Sequence, residues 1–234
     1  LIKEYMTDHH RIIFNGNGYS DEWVQEAERR GLPNIRSMVE SASALTTDKA
    51  VKLFEKFHIF TKAELESREE VQYETYAKSI NIEALTMIDM ASRQIIPAVV
   101  GYTQKLAKTV LDVKAAGVEP SVQIELLAQV NEKLTEMKGA LADLQKIEAE
   151  ASAMEDGKAQ AFFYKDAVMP AMAALRKPAD ELEMLVDKED WPFPTYGDLM
   201  FEVSDSARTE TALCRVFRVR GPIYGTAGTD QSAR

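Results

Sequence analysis

The residues best placed to do chemistry form an asparagine- and glycine-rich loop, Asn15–Tyr19, directly before a predicted helix. The N-terminus of a helix presents unpaired N–H groups and attracts anions, so a loop at this position can hold a phosphate. Neither the dinucleotide-binding glycine fingerprint nor the phosphate-loop lysine pattern is present. Asn-Gly pairs are typical of plain turns. The sequence therefore favours a plain turn over a phosphate-binding loop. If a ligand does bind here, we expect Asn15, Gly16, Gly18 and Tyr19 to contact it.

The other groups able to bind metal or move protons are three histidines and a run of glutamates. His9 and His10 are adjacent and His58 is distant, whereas metal ligands on a helix are three or four residues apart. Lys62 and Arg68 interleave with the glutamates, and no histidine follows at ligand spacing, which favours a solvated charged face. The run comprises Glu64, Glu66, Glu69, Glu70 and Glu74. We therefore predict surface histidines and no metal-binding residue.

Composition narrows the classes of function. No Cys-His or Ser-His-Asp arrangement is legible, so we expect no catalytic residue in this chain. Cys214 is the single cysteine, which excludes an internal disulfide and fits a reducing compartment. The net charge of -10 argues against nucleic acid and anionic membranes as partners. No apolar run reaches the roughly 18 residues that span a bilayer, and no signal-peptide pattern is present. We predict a cytoplasmic protein.

The elements that must position the loop are predicted to be small. Arg11–Phe14 has the pattern of a short strand, and Ser20 is a candidate N-cap for the following helix. Gly31 ends that helix, and Pro33 prevents it from resuming. Thr47 is a candidate N-cap for a second short helix.

Long helices are predicted to follow. Thr61–Glu64 has the capping-box pattern, and the helical pattern then continues to about Ala116, with Gly117 as its stop and Pro97 as a kink or break.

Pro120 opens the next long helix, whose apolar positions form a seam. The seam comprises Ile124, Leu127, Leu134, Met137, Leu141, Leu144 and Ile147. A turn near Asp156 leads to a third segment, which Pro170 and Pro178 should kink or divide.

The predicted fold class is therefore mostly α, a long antiparallel helical bundle preceded by a short strand or loop and small helices. We assign residues 1–60 to a strand or loop with short helices and residues 61–190 to the bundle. Residues 191–203 form an extended closing segment rich in proline and aromatic residues. Residues 204–234 lack lysine and amphipathic periodicity, which suggests a disordered tail or a reading-frame artefact.

Several strings of this sequence resemble the C-terminal region of type III glutamine synthetases, in order and over about residues 1–203. The matching strings are RIIFNGNGYSDEW at 11–23, EAERRGLPN at 26–34, FTKAELESR at 60–68, NIEA at 81–84 and WPFPTYGDL at 191–199. The resemblance, together with a first residue that is leucine rather than methionine, suggests a fragment that lacks most of a catalytic domain. It implies that residues 1–60 are the end of that catalytic-domain region.

The resemblance implies a parent enzyme of glutamine biosynthesis that ligates ammonia to glutamate with ATP and Mg or Mn, and that assembles as stacked rings. The catalytic, ATP-binding and metal-binding residues of that family fall on no position here, so no cofactor is expected in this chain. The loop of Asn15, Gly16, Gly18 and Tyr19 is expected at most to support the active site indirectly. The alternative is a free-standing helical interaction module without catalysis.

Overall fold

A computed structural model describes residues 1–194 and 196–200, so the predicted tail at 204–234 lies outside the described residues. The described residues form helices and contain no strand, which confirms the mostly α fold class. The α-helices are α1 (Ile2–Asp8), α2 (Asp21–Arg29), α3 (Met38–Ala42), α4 (Asp48–Lys56), α5 (Lys62–Met90), α6 (Ile96–Ala115), α7 (Ser121–Ser152), α8 (Gly157–Phe163), α9 (Met169–Leu185) and α10 (Tyr196–Met200). None of them is long and apolar enough to cross a membrane.

The short strand predicted at Arg11–Phe14 is wrong. A 3₁₀ turn occupies His10–Ile12 instead, with a hydrogen bond of 3.1 Å from the Ile13 N–H to the His10 carbonyl. An isolated strand would leave its backbone groups without partners, because no described strand lies beside it. Local turn bonds and the Arg30 guanidinium satisfy these groups instead.

The predicted helix boundaries are confirmed where local chemistry sets them. Thr47 caps α4 with its side chain, and Thr61 forms a complete capping box with Glu64, whereas Ser20 occupies the N-cap position of α2 without a side-chain capping bond. Gly31 and Gly117 have φ values of 70° and 83°, in the left-handed region that glycine adopts without strain.

Two prolines interrupt long helices in the same way. Pro97 and Pro170 are each the second residue of an α-helix, and a five-residue π-helical segment precedes each helix. Proline lacks an N–H, and its ring crowds the carbonyl four residues earlier, so a widened turn accommodates it. The expected interruptions at both prolines are confirmed.

Pro178 does not divide its helix, so of the two predicted outcomes, a kink or a division, the division is wrong at this residue. It lies inside α9 and is itself buried, between buried Leu175 and Leu182 along the same helix. Burial of these side chains offsets the lost backbone hydrogen bond.

The closing segment is not extended throughout. Residues 196–200 form α10, and Lys188 Nζ lies 2.5 Å from Asp198 Oδ1 in its first turn. Pro192 and Pro194 restrict only the residues beside them, and an acidic residue stabilises the first turn of a helix.

The chain divides into two compact units, whereas the domain boundaries predicted from the sequence stay predictions. The first unit comprises residues 1–91 and 135–178, and the described part of the second comprises residues 92–134, 179–194 and 196–200. In the first unit α5 packs against α3, α4, α8 and the 3₁₀ turn Ser43–Thr46. Its buried side chains include Leu65, Tyr73, Ala84, Met137, Leu144, Ala161 and Tyr164. Those of the second unit include Ile95, Val99, Leu106, Val130, Leu182 and Val186.

Candidate functional site

The Asn15–Tyr19 loop is held by its own polar groups. Asn17 Oδ1 accepts a hydrogen bond from the Tyr19 N–H at 3.0 Å, which makes an Asx turn. The Ser20 hydroxyl donates to the Asn17 carbonyl at 2.8 Å instead of capping α2. The turn predicted from the Asn-Gly pairs is thus confirmed.

Aromatic packing joins the start of the loop to α2. The rings of Phe14 and Trp23 lie 4.8 Å apart between centroids, tilted by 48°. A Cβ atom added at Gly16 would lie 2.7 Å from Phe14 Cζ, so a larger residue would displace this ring. A residue larger than glycine at position 16 would therefore shift the Phe14 ring, whereas a Cβ at Gly18 meets nothing within 4 Å.

Arg30 fastens the segment before the loop to the end of α2. Its guanidinium donates to the carbonyls of Arg11 (2.9 Å) and Ile13 (3.1 Å), and its Nε donates to Glu26 at 2.6 Å. Hydrogen bonds from Arg29 and Arg30 lower the pKa of Glu26 to about 2. The carboxylate therefore stays ionised at neutral pH and holds both arginines in place.

The loop presents an aromatic side chain to its surroundings. The Tyr19 side chain is fully exposed, at 100% of its reference area. The loop itself carries amides and a phenol but no charge, and the first turn of α2 carries Asp21 and Glu22. These acidic residues oppose an anion at the helix N-terminus, so the arrangement disfavours phosphate binding.

The sequence predictions for metal-binding groups have mixed outcomes. His9, His10 and His58 are exposed, as predicted. Within residues 1–194 and 196–200, no three or more His, Cys, Asp or Glu side chains are grouped to hold a metal ion. The predicted solvated glutamate face is wrong at one position, because Glu69 is buried at 9% exposure.

Glu69 is the centre of a hydrogen-bond network that sequence reasoning missed. Its carboxylate accepts from Thr46 Oγ1 (2.6 Å), Tyr73 OH (2.7 Å) and Lys158 Nζ (3.2 Å). Ser43 Oγ lies 2.6 Å from Tyr73 OH and donates to it, because the Tyr73 proton is already used. The network joins α5 to the neighbouring 3₁₀ turn and to α8, but its contributors are too far apart in sequence to form a motif.

A second, partly buried network involves Asn81, which lies in one of the resembling strings. Its Nδ2 lies 2.8 Å from Tyr164 OH, 2.9 Å from Glu148 Oε1 and 3.1 Å from Ser152 Oγ. An amide nitrogen has only two protons, so these acceptors share its bonds. The cluster connects α5, α7 and the π-helical segment Tyr164–Val168.

These helices and the preorganised loop define a helical domain built around α5, and comparison with known proteins identifies its class. Residues 1–114 match the family model described as glutamine synthetase C-terminal domain. The first 114 of the 234 residues therefore resemble this C-terminal domain.

Curated relatives agree with this resemblance. A glutamine synthetase of Butyrivibrio fibrisolvens is 36% identical over 205 residues, covering 87% of this chain and 29% of the relative. A type-3 glutamine synthetase of Dictyostelium discoideum and a glutamine synthetase of Bacteroides fragilis are each 32% identical over 207 residues, covering 86% of this chain and 28% of each relative. The resemblance to type III enzymes is confirmed, and the chain spans less than a third of these relatives' length.

Proposed function

We propose that this chain acts as the C-terminal part of a glutamine synthetase, a cytoplasmic ligase that joins ammonia to glutamate with ATP and Mg or Mn. The match of residues 1–114 to the C-terminal domain of that family is the observation that carries the proposal. ATP, metal and glutamate would be held by residues outside this chain. The part described here would act mainly in packing of identical subunits.

The loop suits a supporting role at the edge of the catalytic region. Asn17 and Arg30 hold its backbone, while Tyr19 projects without covering groups from its own chain. A rigid backbone that presents an exposed aromatic ring can fix the position of a neighbouring segment at low entropic cost. We propose that Tyr19 positions residues of the catalytic region and does not touch substrate.

An exchange experiment tests both the proposed role of this chain in a glutamine synthetase and the proposed positioning role of Tyr19. In the Butyrivibrio fibrisolvens relative, the aligned segment is replaced by residues 1–200 of this chain, and glutamine formation is measured. We expect an active chimera, in which Tyr19→Ala lowers kcat/KM by roughly tenfold, the size typical of a lost positioning contact. Tyr5→Ala, at another exposed tyrosine, is the matched control and should have no effect.

A well-folded chimera that forms no glutamine would overturn the proposed membership in a working synthetase. Equal effects of Tyr19→Ala and Tyr5→Ala would remove the role of the loop alone.

The competing function is a helical interaction module without catalysis, which an exposed apolar groove between α6 and α7 favours. Calorimetry with the 234-residue chain measures whether ATP or glutamate binds to this chain itself. Saturable binding of ATP or glutamate to this chain would contradict our placement of the substrate site elsewhere. Activity of the chimera would exclude a module unrelated to the enzyme.

A further inference from the structure

The second unit contains an open groove between α6 and the first half of α7. Its volume is about 780 Å³, and its lining is mostly apolar. Val100 and Ile124, at its rim, are 50% and 46% exposed, whereas the neighbouring Val99 is fully buried. The helix pair thus has one apolar face packed inside its own chain and a second apolar face that remains open.

The α6 side of the groove is a continuous helical stripe. Val100, Gln104 and Ala107 recur at intervals of four and three residues, which places them on one face, with Gly101 beside them. Leu111, 67% exposed, continues the same spacing. This face differs from the buried one by about 100° around the helix, the rotation from one residue to the next.

The α7 side of the groove is also a stripe of residues on one helix face. Ile124, Leu127, Ala128 and Asn131 line the groove at positions i, i+3, i+4 and i+7. Large and small side chains alternate in these stripes, so branched residues on one surface can enter the spaces above alanine and glycine on a similar surface. The shape therefore suits another helix pair of the same kind.

Charges beside the groove are self-complementary. Exposed Lys108 lies on α6, and exposed Glu125 and Glu132 lie on α7. On helical geometry, Lys108 and the two glutamates flank their stripes at similar angles. If α6 of one copy faced α7 of another, Lys108 would meet the acidic edge of α7, and the symmetry would make this contact twice.

We propose that this groove is a twofold interface, in which it binds the same groove of a second copy of this chain with α6 of each protomer against α7 of the other. Two helix pairs joined in this way form a four-helix arrangement that buries both open stripes. The inference deepens the subunit-packing role proposed above and rests on it, because it names the surface and the partner.

A glycine pair provides the first test. A Cβ at Gly101 meets no atom within 4 Å, so Gly101→Glu fits the isolated chain and raises helix propensity while placing a charge in the groove. Gly139→Glu is the matched control, because Gly139 is equally open but lies about 12 Å beyond Asn131 along α7. Sedimentation equilibrium of the 234-residue chain should show a dimer that Gly101→Glu weakens by about 100-fold or more and Gly139→Glu leaves unchanged.

Charge exchange provides the second test. Lys108→Glu gives the α6 edge the same charge as the acidic α7 edge, and Glu125→Lys with Glu132→Lys gives the α7 edge the same charge as Lys108. Each variant alone should associate at least about tenfold more weakly. An equimolar mixture should restore wild-type association, because every acidic edge then meets a basic one. A mixture that stays dissociated would contradict the pairing of α6 with α7.

The failures of the two proposals are distinguishable. A wild-type chain that remains monomeric throughout the concentration series, or equal effects of the two glycine variants, overturns the interface. Neither result changes glutamine formation by the chimera, which tests the enzyme assignment independently. Circular dichroism of each variant confirms that its helices are intact.

Discussion

The two compact units differ in how they use polar and apolar groups. The first unit joins its helices through two polar networks, one centred on buried Glu69 and the other on half-buried Asn81. The second unit leaves the apolar groove beside Val100 and Ile124 open. Among the described residues, no buried side-chain nitrogen or oxygen lacks a hydrogen-bond partner.

This difference indicates different tasks for the two units. A satisfied buried network penalises every arrangement that separates its members, so it specifies how the helices of the first unit pack. An open apolar surface adds little to the stability of its own chain but gains free energy when another surface covers it. We therefore expect substitutions in the first unit to affect folding and substitutions in the groove to affect association.

The largest effect on folding is expected from truncation of the first unit's core. Leu65 in α5 is completely buried, so Leu65→Ala should lower the free energy of unfolding by about 2–5 kcal/mol. Leu85→Ala, on the same helix but at 47% exposure, is the matched control and should cost much less. Urea denaturation followed by circular dichroism measures both, and equal costs would show that Leu65 is not in a packed core.

The next largest effect is expected at Glu69. Glu69→Gln keeps the shape of the side chain but removes its charge, and it should cost about 1–2 kcal/mol at neutral pH. Glu70→Gln changes the exposed neighbour and should have almost no effect. Urea midpoints give both values, and a cost at Glu70 as large as that at Glu69 would refute the importance of the network.

The cost at Glu69 should depend on pH. Burial raises the pKa of Glu69, but hydrogen bonds from Thr46, Tyr73 and Lys158 outweigh burial and leave the pKa below its ordinary value. The folded state therefore binds the proton less tightly than the unfolded state. The stabilisation is complete above the unfolded pKa of about 4.3 and is lost as the pH falls through the folded pKa. The difference between wild type and Glu69→Gln should accordingly shrink below about pH 4.3.

The features that could be predicted from the sequence are those whose interacting residues lie close together along the chain. The capping box of Thr61 and the stop at Gly117 are properties of adjacent residues, and both were predictable. The partners of Glu69 were not, because Lys158 is 89 positions away and gives no periodic signal. The strand at Arg11–Phe14 was wrong for the same reason, since the pattern did not reveal that distant Arg30 binds its carbonyls.

A smaller effect is expected at the second network. Tyr164→Phe removes a hydroxyl that accepts from Asn81 Nδ2 at 2.8 Å, in a side chain that is 1% exposed. Because Glu148 and Ser152 still accept from that amide, the cost should be about 0.5–1.5 kcal/mol. Tyr19→Phe changes the same group at full exposure and should leave the urea midpoint unchanged. A Tyr164 variant as stable as wild type would mean that the network adds nothing to the packing of the first unit.

The smallest effect on folding is expected in the groove. Ile124→Ser replaces a side chain that is 46% exposed, so the free energy of unfolding of the dissociated chain should change by only about 0.5 kcal/mol. Self-association should nevertheless weaken clearly, because the same side chain would be buried between two copies. Measuring the urea midpoint at high dilution and the dimer dissociation constant by sedimentation separates the two quantities. If Ile124→Ser destabilised folding as strongly as Leu65→Ala, the groove would belong to the interior of its own chain, and the contrast between the two units would disappear.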